Sequence, residues 1–363
     1  MGALDPPALD LVVLGAGIIG LCAAEAALRA RPGLRLALVD PRPPGHDQGA
    51  SHGSERIIRA TYADPALVAD TLRCRAEHWP ALEALLGQPL ITPGPAVFWG
   101  PEDGPLPAYA AAVAAAGAPI EALSAAEARR RCPSMTFAGA ERVLWDHAAG
   151  VIHADLVLAG LAARVERLGG QRVQAAALGL APDPVGLRVD TSAGPLRAAA
   201  GLLCLGGWLG GLRPASAPVA VPVRQHVGFW PMDVAPGRSP AWVHLGRDAL
   251  HYGLPARGGG LMKAALHATG AGRPPDDPDA PIRPDPVALA AVEEQLRAWF
   301  QPGPGPLRRA EVCLYANAPG DAFFIEPLPE LPSALQVAAC SGHAFKLAPL
   351  VGARAAEWAL ARV

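Results

Sequence analysis

Apolar residues open the chain in a short run, Leu9 to Leu14, suited to a buried strand and too short for a helix. A glycine turn, Gly15 to Gly20, leads into an apolar stretch with helical spacing that reaches about Arg31. Leu34 to Asp40 reads as a second strand. Strand, turn, helix and strand in that order predict a β-α-β unit, and right-handed crossover makes the two strands parallel. Pro41 to Gly53 is a loop rich in Pro, Gly, His and Ser. Helical periodicity returns over Leu67–Leu86 and Asp155–Leu168. Ser124 and Glu127 form a capping-box pattern that starts a short helix, and Pro133 stops it. From Val219 to Leu266, alternating and aromatic runs predict antiparallel strands. Arg273 to Pro286, with six prolines and four aspartates, reads as a surface loop, and Val287 to Phe300 as a helix. A strand at Leu335–Ala339, a glycine turn and a helix from about Phe345 to Leu360 close the pattern.

Composition adds limits. A chain of 363 residues suits about two domains, and 51% hydrophobic residues can fill their cores. A net charge of −2 gives no global field for nucleic acid or anionic lipid, so anion recognition must be local. Cysteines stand at 22, 74, 132, 204, 313 and 340 with no C-x-x-C pair. They read as reduced, mostly buried thiols, with no metal cluster expected. The first apolar run lacks a preceding basic region, so a nucleotide-binding strand is expected there and not a signal peptide. No apolar run of about 18 residues suggests a membrane span. A cytoplasmic enzyme is the expectation.

Gly15, Gly17 and Gly20 fit G-x-G-x-x-G in its required setting. The first allows a tight turn, the second close approach of backbone to a pyrophosphate, the third close packing of helix on strand. Ile18 and Ile19 then lie at the helix N-terminus, whose N–H groups attract phosphate. Asp40 ends the second strand, where a carboxylate accepts hydrogen bonds from ribose hydroxyls. The motif predicts a bound dinucleotide without separating FAD from NAD.

Later segments narrow the choice. Gly53-Ser-Glu-Arg-Ile-Ile-Arg59, Tyr252-Gly-Leu-Pro255, Lys263 to His267, Cys313-Leu-Tyr315 and Ser341 to Lys346, taken with Gly15 to Gly20, cover nearly the whole chain in order. In these motifs the chain resembles the monomeric sarcosine oxidase and N-methyltryptophan oxidase family, within the group of D-amino acid oxidase architecture. The resemblance implies an α/β protein with an FAD-binding Rossmann-like domain and an interleaved substrate domain on a mostly antiparallel sheet. The expected division is 1–85, 147–218 and 313–363 for FAD, and 86–146 and 219–312 for substrate. The implied activity is oxidation of a small carboxylate-bearing secondary amine, with O2 as electron acceptor, in a monomer.

The resemblance also assigns roles. Cys313 matches the cysteine that links the flavin covalently, and Arg56 the arginine close to the ring, whose charge favours a thiolate. Arg59 and Lys346 match the cations that hold the substrate carboxylate, one by a bidentate fork and one as a point charge. Lys263 matches the lysine that promotes reaction with oxygen, since a cation stabilises the charge formed on O2. His267 and Tyr252 match polar residues at the amine, where a histidine titrating near neutrality would favour the free base. Tyr315 joins them at the substrate. Ser51, His52, Gly342, His343 and Phe345 fall in segments that flank the flavin, His343 at a helix N-terminus. Val243 replaces a methionine of the sarcosine-specific members, which implies a roomier pocket. A same-fold dehydrogenase, a primary-amine oxidase and a redox-inert flavin module are the competing readings.

Overall fold

The computed structural model describes residues 8–269, 276–338 and 341–363. The first sheet has eight strands. Its parallel core runs through Gln171–Val173, Leu36–Val39, Leu9–Leu14, Leu196–Leu203 and Leu331–Ala338. Leu11 through Leu14 are fully buried, which explains an apolar run without alternation. Helix Ile18–Ala30 packs on this sheet and against helix Ala344–Leu360. The two approach closely because Gly352 has no side chain: a Cβ there would meet Cys22 Cβ at 2.5 Å.

The second sheet also has eight strands. Arg309–Asn317, Val221–Pro231, Leu261–His267, Leu250–Pro255 and Ala241–Leu245 pair antiparallel in that order. Ala241–Leu245 then meets Ala96–Trp99 in parallel, a departure from an otherwise antiparallel pattern. Strand Arg309–Asn317 belongs whole to this sheet, so the expected division at 313 falls inside a strand. A small third sheet joins Glu55–Ile58, Gly150–His153 and Ile91–Pro93.

Several elements match their sequence signals. Ser124 Oγ accepts from Glu127 N, and Glu127 bonds back to Ser124 N, completing the capping box of helix Ala125–Arg131. The helix expected over 67–86 is interrupted: Pro65–Arg73 and Trp79–Leu86 flank a π-turn, Cys74–His78. Periodicity could not reveal that extra residue, since the apolar spacing shifts by one position only. The expected strand Leu335–Ala339 starts earlier, at Leu331, while Ala339 and Cys340 lie outside the described residues, as do 273–275 of the proline-rich loop. Cys22, Cys74, Cys132, Cys204 and Cys313 are free and buried. Among the described residues, no helix is long and apolar enough to cross a membrane.

Candidate active site

A cleft of about 540 Å³ opens at the carboxyl ends of the parallel strands, where open α/β sheets bind ligands. Gly15 turns into it with φ 99°, a conformation L side chains rarely adopt, and a Cβ there would lie 2.4 Å from Cys204 O. Gly20 lies beneath: its Cβ would stand 1.9 Å from Gly15 O, so the turn closes only over glycine. Asp40 accepts from Ala16 N at 2.8 Å and from Arg42 N at 2.9 Å, which fixes its carboxylate at the cleft. Ile18 and Ile19 line the cleft, and Ile18 N donates to Ser51 Oγ at 3.0 Å. The glycine backbone, the aimed carboxylate and the open helix end suit a dinucleotide.

Sequence reasoning missed a further wall of the cleft. Cys204, Leu205, Gly206, Gly207 and Trp208 line it, and the Arg42 guanidinium lies 4.6 Å from the Trp208 ring. The available signal was positional: these residues follow the end of a parallel strand next to Leu9–Leu14.

A second pocket continues from the cleft, and Ile18, Ala50, Ser51 and Ala344 line both. It gathers Arg56, Arg59, Val243, Tyr252, Lys263, His267, Cys313, Tyr315, Gly342, His343, Phe345 and Lys346. Of the expected residues, Gly20 and His52 line neither space. Gly20 packs under the turn, and His52 sits behind Cys313.

Cys313 is buried on strand Arg309–Asn317, which explains why a sequence reading sees only a structural thiol. His52 Nδ1 lies 3.9 Å from its sulfur and an Arg56 guanidinium nitrogen 4.0 Å away. Burial alone would raise the thiol pKa, but the His52 contact and the charges of His52, Arg56 and Lys263 bring it down to about 6. Arg56 is itself held by the carbonyls of Glu55, Ala50 and His52. Lys263 is buried and donates to Glu55 O at 3.0 Å. Its pKa is lowered by burial and by Arg56, while Glu55 and Glu311 work the other way.

Across the pocket, Arg59 and Lys346 are both almost fully buried. The Arg59 guanidinium lies 3.9 Å and Lys346 Nζ 5.8 Å from the centre of one ring, Tyr62. Arg59 reaches its position from the end of strand Glu55–Ile58 and donates to Thr61 O. Asp146, fully buried, accepts from the N–H groups of Ala60 and Thr61 and so pins that segment. Neither Tyr62 nor Asp146 carries a sequence motif, and only the fold brings them here.

His267 lies between Tyr315 and His343, with ring centres 5.5 and 6.0 Å away. The expected titration near neutrality does not fit these surroundings. Burial and the neighbouring His343 push His267 down to about 3, so the ring is neutral and acts as a hydrogen-bonding group. His343 is also pushed well below its usual range, by burial and then by Lys346 and Arg59. His267, Asp321 and His343 bring potential ligand atoms within 4.8 Å of one another. The adjacent Arg59 and Lys346 charges favour an anion here over a metal ion. Tyr252 and Tyr315 hydroxyls stand 3.5 Å apart, and burial raises the Tyr252 pKa to about 12. Gly342 is forced by crowding: a Cβ would meet the Tyr315 ring at 2.7 Å and His267 at 2.8 Å. Val243 pairs with Tyr252 and faces the pocket, whereas His244 turns to the other face, 4.4 Å from the Trp299 ring.

Comparison with known proteins agrees with this geometry. N-methyl-L-tryptophan oxidases of Salmonella dublin and Salmonella typhimurium are each 28% identical to the chain over 366 residues, covering 97% of it and 95% of the relative. Among solved structures, NikD, an amino acid oxidase essential for nikkomycin biosynthesis, superposes in its open form with a TM-score of 0.83 at 22% identity. That match covers 97% of this chain and 94% of NikD. Glycine oxidase from Geobacillus kaustophilus gives a TM-score of 0.80 at 16% identity, covering 98% and 95%. The model of the FAD dependent oxidoreductase family matches residues 10–358. Nearly the whole chain, both pockets included, falls within that match, and the protein belongs to the FAD-dependent oxidoreductases.

Proposed function

We propose that the protein is an amine oxidase that takes a small carboxylate-bearing secondary amine, an N-methyl or cyclic amino acid, to its imine and reduces O2 to H2O2. The amine loses two electrons and two protons, and O2 receives the same number. Bound FAD supplies the two-electron acceptor that links the halves. The carrying observation is the pair Arg59 and Lys346, two buried cations against one tyrosine ring in the pocket that also holds Cys313 and Lys263. Arg59 donates to Thr61 O and Lys346 Nζ to Gly342 O at 3.3 Å, and a substrate carboxylate adds charge-assisted bonds to both cations.

The chain's own groups then divide the work. Arg59 and Lys346 orient the carboxylate. Tyr252, Tyr315 and neutral His267 accept or donate hydrogen bonds at the amine. Lys263, held by Glu55, places positive charge where O2 gains electrons. Cys313, a thiolate above about pH 6, is the attachment point for the flavin. Ile57, Val227, Val243, Leu250 and Leu254 give the pocket an apolar wall, which suits an amino acid with an apolar side chain. The N-methyl-L-tryptophan oxidase relatives favour the same class. The protein works as a cytoplasmic monomer on a diffusible substrate.

The test compares an N-methyl amino acid with its decarboxylated amine, measuring anaerobic flavin bleaching and aerobic peroxide. Each charge-assisted hydrogen bond is worth about 1.5–3 kcal/mol. Arg59→Ala or Lys346→Ala therefore lowers kcat/KM for the amino acid roughly ten- to a hundred-fold relative to the amine. An unchanged ratio in both variants rejects the reading.

A further inference from the structure

The π-turn Cys74–His78 has a purpose that the reaction scheme leaves unassigned. Trp79 N–H bonds to the Cys74 carbonyl, closing a turn one residue wider than an α-helical one. In a regular α-helix, residues five apart point about 140° away from each other. A turn closed between residues i and i+5 brings them to one face. Cys74 and Trp79 are such a pair, both fully buried, and both aim at a single atom. Trp79 Nε1 donates to the Lys346 carbonyl at 2.8 Å, and Cys74 Sγ donates to it at 3.3 Å.

The receiving helix is weakened at that point. Pro349 lies inside Ala344–Leu360 and has no N–H, so the first turn lacks the bond that residue 349 would give to the Phe345 carbonyl. A helix start built from Gly342, with φ 73°, and loosened by Pro349 needs an outside hold to keep its side chains in register.

We infer that Trp79 and Cys74 are positioning residues for Lys346. They grip its backbone carbonyl so that its ammonium meets the substrate carboxylate at a fixed place. This rests on the proposal that Lys346 binds that carboxylate. The π-turn is then a specificity device, placed some 270 residues away in sequence from the lysine it aligns.

The test uses the flavin-loaded enzyme, with an N-methyl amino acid, its decarboxylated amine, and propionate as a competing carboxylate. Trp79→Phe keeps a ring and removes the donor. Cys74→Ala removes the second donor, and Cys74→Ser restores an O–H. The expected result is a rise of about three- to ten-fold in KM for the amino acid and in the propionate inhibition constant for Trp79→Phe, with kcat changed less than about two-fold. The decarboxylated amine is unaffected. Cys74→Ala gives a smaller shift in the same direction, and Cys74→Ser reverses it. Equal loss on both substrates, or no loss on either, overturns the inference if Lys346→Ala still separates them. If Lys346→Ala fails to separate them, the carboxylate reading itself falls. Should Trp79→Phe fail to load flavin, the Cys74→Ala and Cys74→Ser pair decides alone: no difference between them in propionate binding rejects the role.

Discussion

The dinucleotide cleft and the pocket beside it are built by opposite means. The phosphate end of the cleft is backbone: Gly15, Gly17 and the N-terminus of helix Ile18–Ala30, with the Asp40 carboxylate twenty residues after Gly20, while side chains such as Arg42, His46, Trp208 and Asp279 line the rest. Its specificity lies in where side chains are absent. The pocket is mostly side chain: buried Arg59, Lys263, Cys313, His343 and Lys346, brought together from the second and third sheets and the helix Ala344–Leu360. A backbone site tolerates much change around it and none at its glycines. A site of buried charges depends on each group's neighbours, so single substitutions there alter chemistry while the fold stands.

That contrast yields its sharpest test at Gly20. A Cβ 1.9 Å from Gly15 O cannot be relieved by a rotamer change, so Gly20→Val abolishes flavin binding altogether, read as the flavin-to-protein ratio of purified protein. Retention of a full complement of flavin would erase the distinction between the two regions. Next in size is Lys263→Met. Removing the cation slows reoxidation of the reduced enzyme by O2 about a hundredfold or more, while amine-driven bleaching changes little. Equal loss in both half-reactions in stopped-flow would make Lys263 a structural residue.

Smaller effects concern protonation. Cys313→Ala leaves flavin in the native cleft but releases it on acid precipitation, whereas wild type keeps its colour. In flavin-free protein supplied with FAD, attachment speeds up as pH rises through about 6 and then levels off, because a lowered pKa means thiolate is present above that value. An ordinary thiol would still be gaining at about pH 8.5. The smallest change is expected at His267. Its pKa of about 3 leaves it neutral at every working pH. His267→Gln therefore lowers kcat/KM by about three- to ten-fold without moving the inflections of the pH profile. A shifted inflection would show that the ring titrates after all.

The two regions also differ in how far the sequence revealed them. The strand, the glycine turn and Asp40 are contiguous and obey local rules, so the β-α-β unit was legible to within a few residues. Arg59 and Lys346 were legible only through resemblance, because nothing local says that residues so distant share a tyrosine ring. Glu55, Tyr62 and Asp146 left no trace in periodicity: Glu55 acts through its carbonyl, Tyr62 through its ring and Asp146 through a carboxylate on distant backbone N–H groups, contacts that exist only after folding. The π-turn was hidden for a different reason: one added residue shifts an apolar pattern by less than the pattern's own tolerance. His267 shows the limit of residue type, since its ordinary titration range is set aside by burial.

One loop ties the regions together. Ser51 Oγ takes the N–H of Ile18 at the mouth of the cleft, and the next residue, His52, stands at the Cys313 sulfur. The consequence is proximity along the chain: the residue that receives the helix N-terminus and the residue that touches the proposed attachment point are neighbours, so the two regions share one backbone hinge of a single peptide.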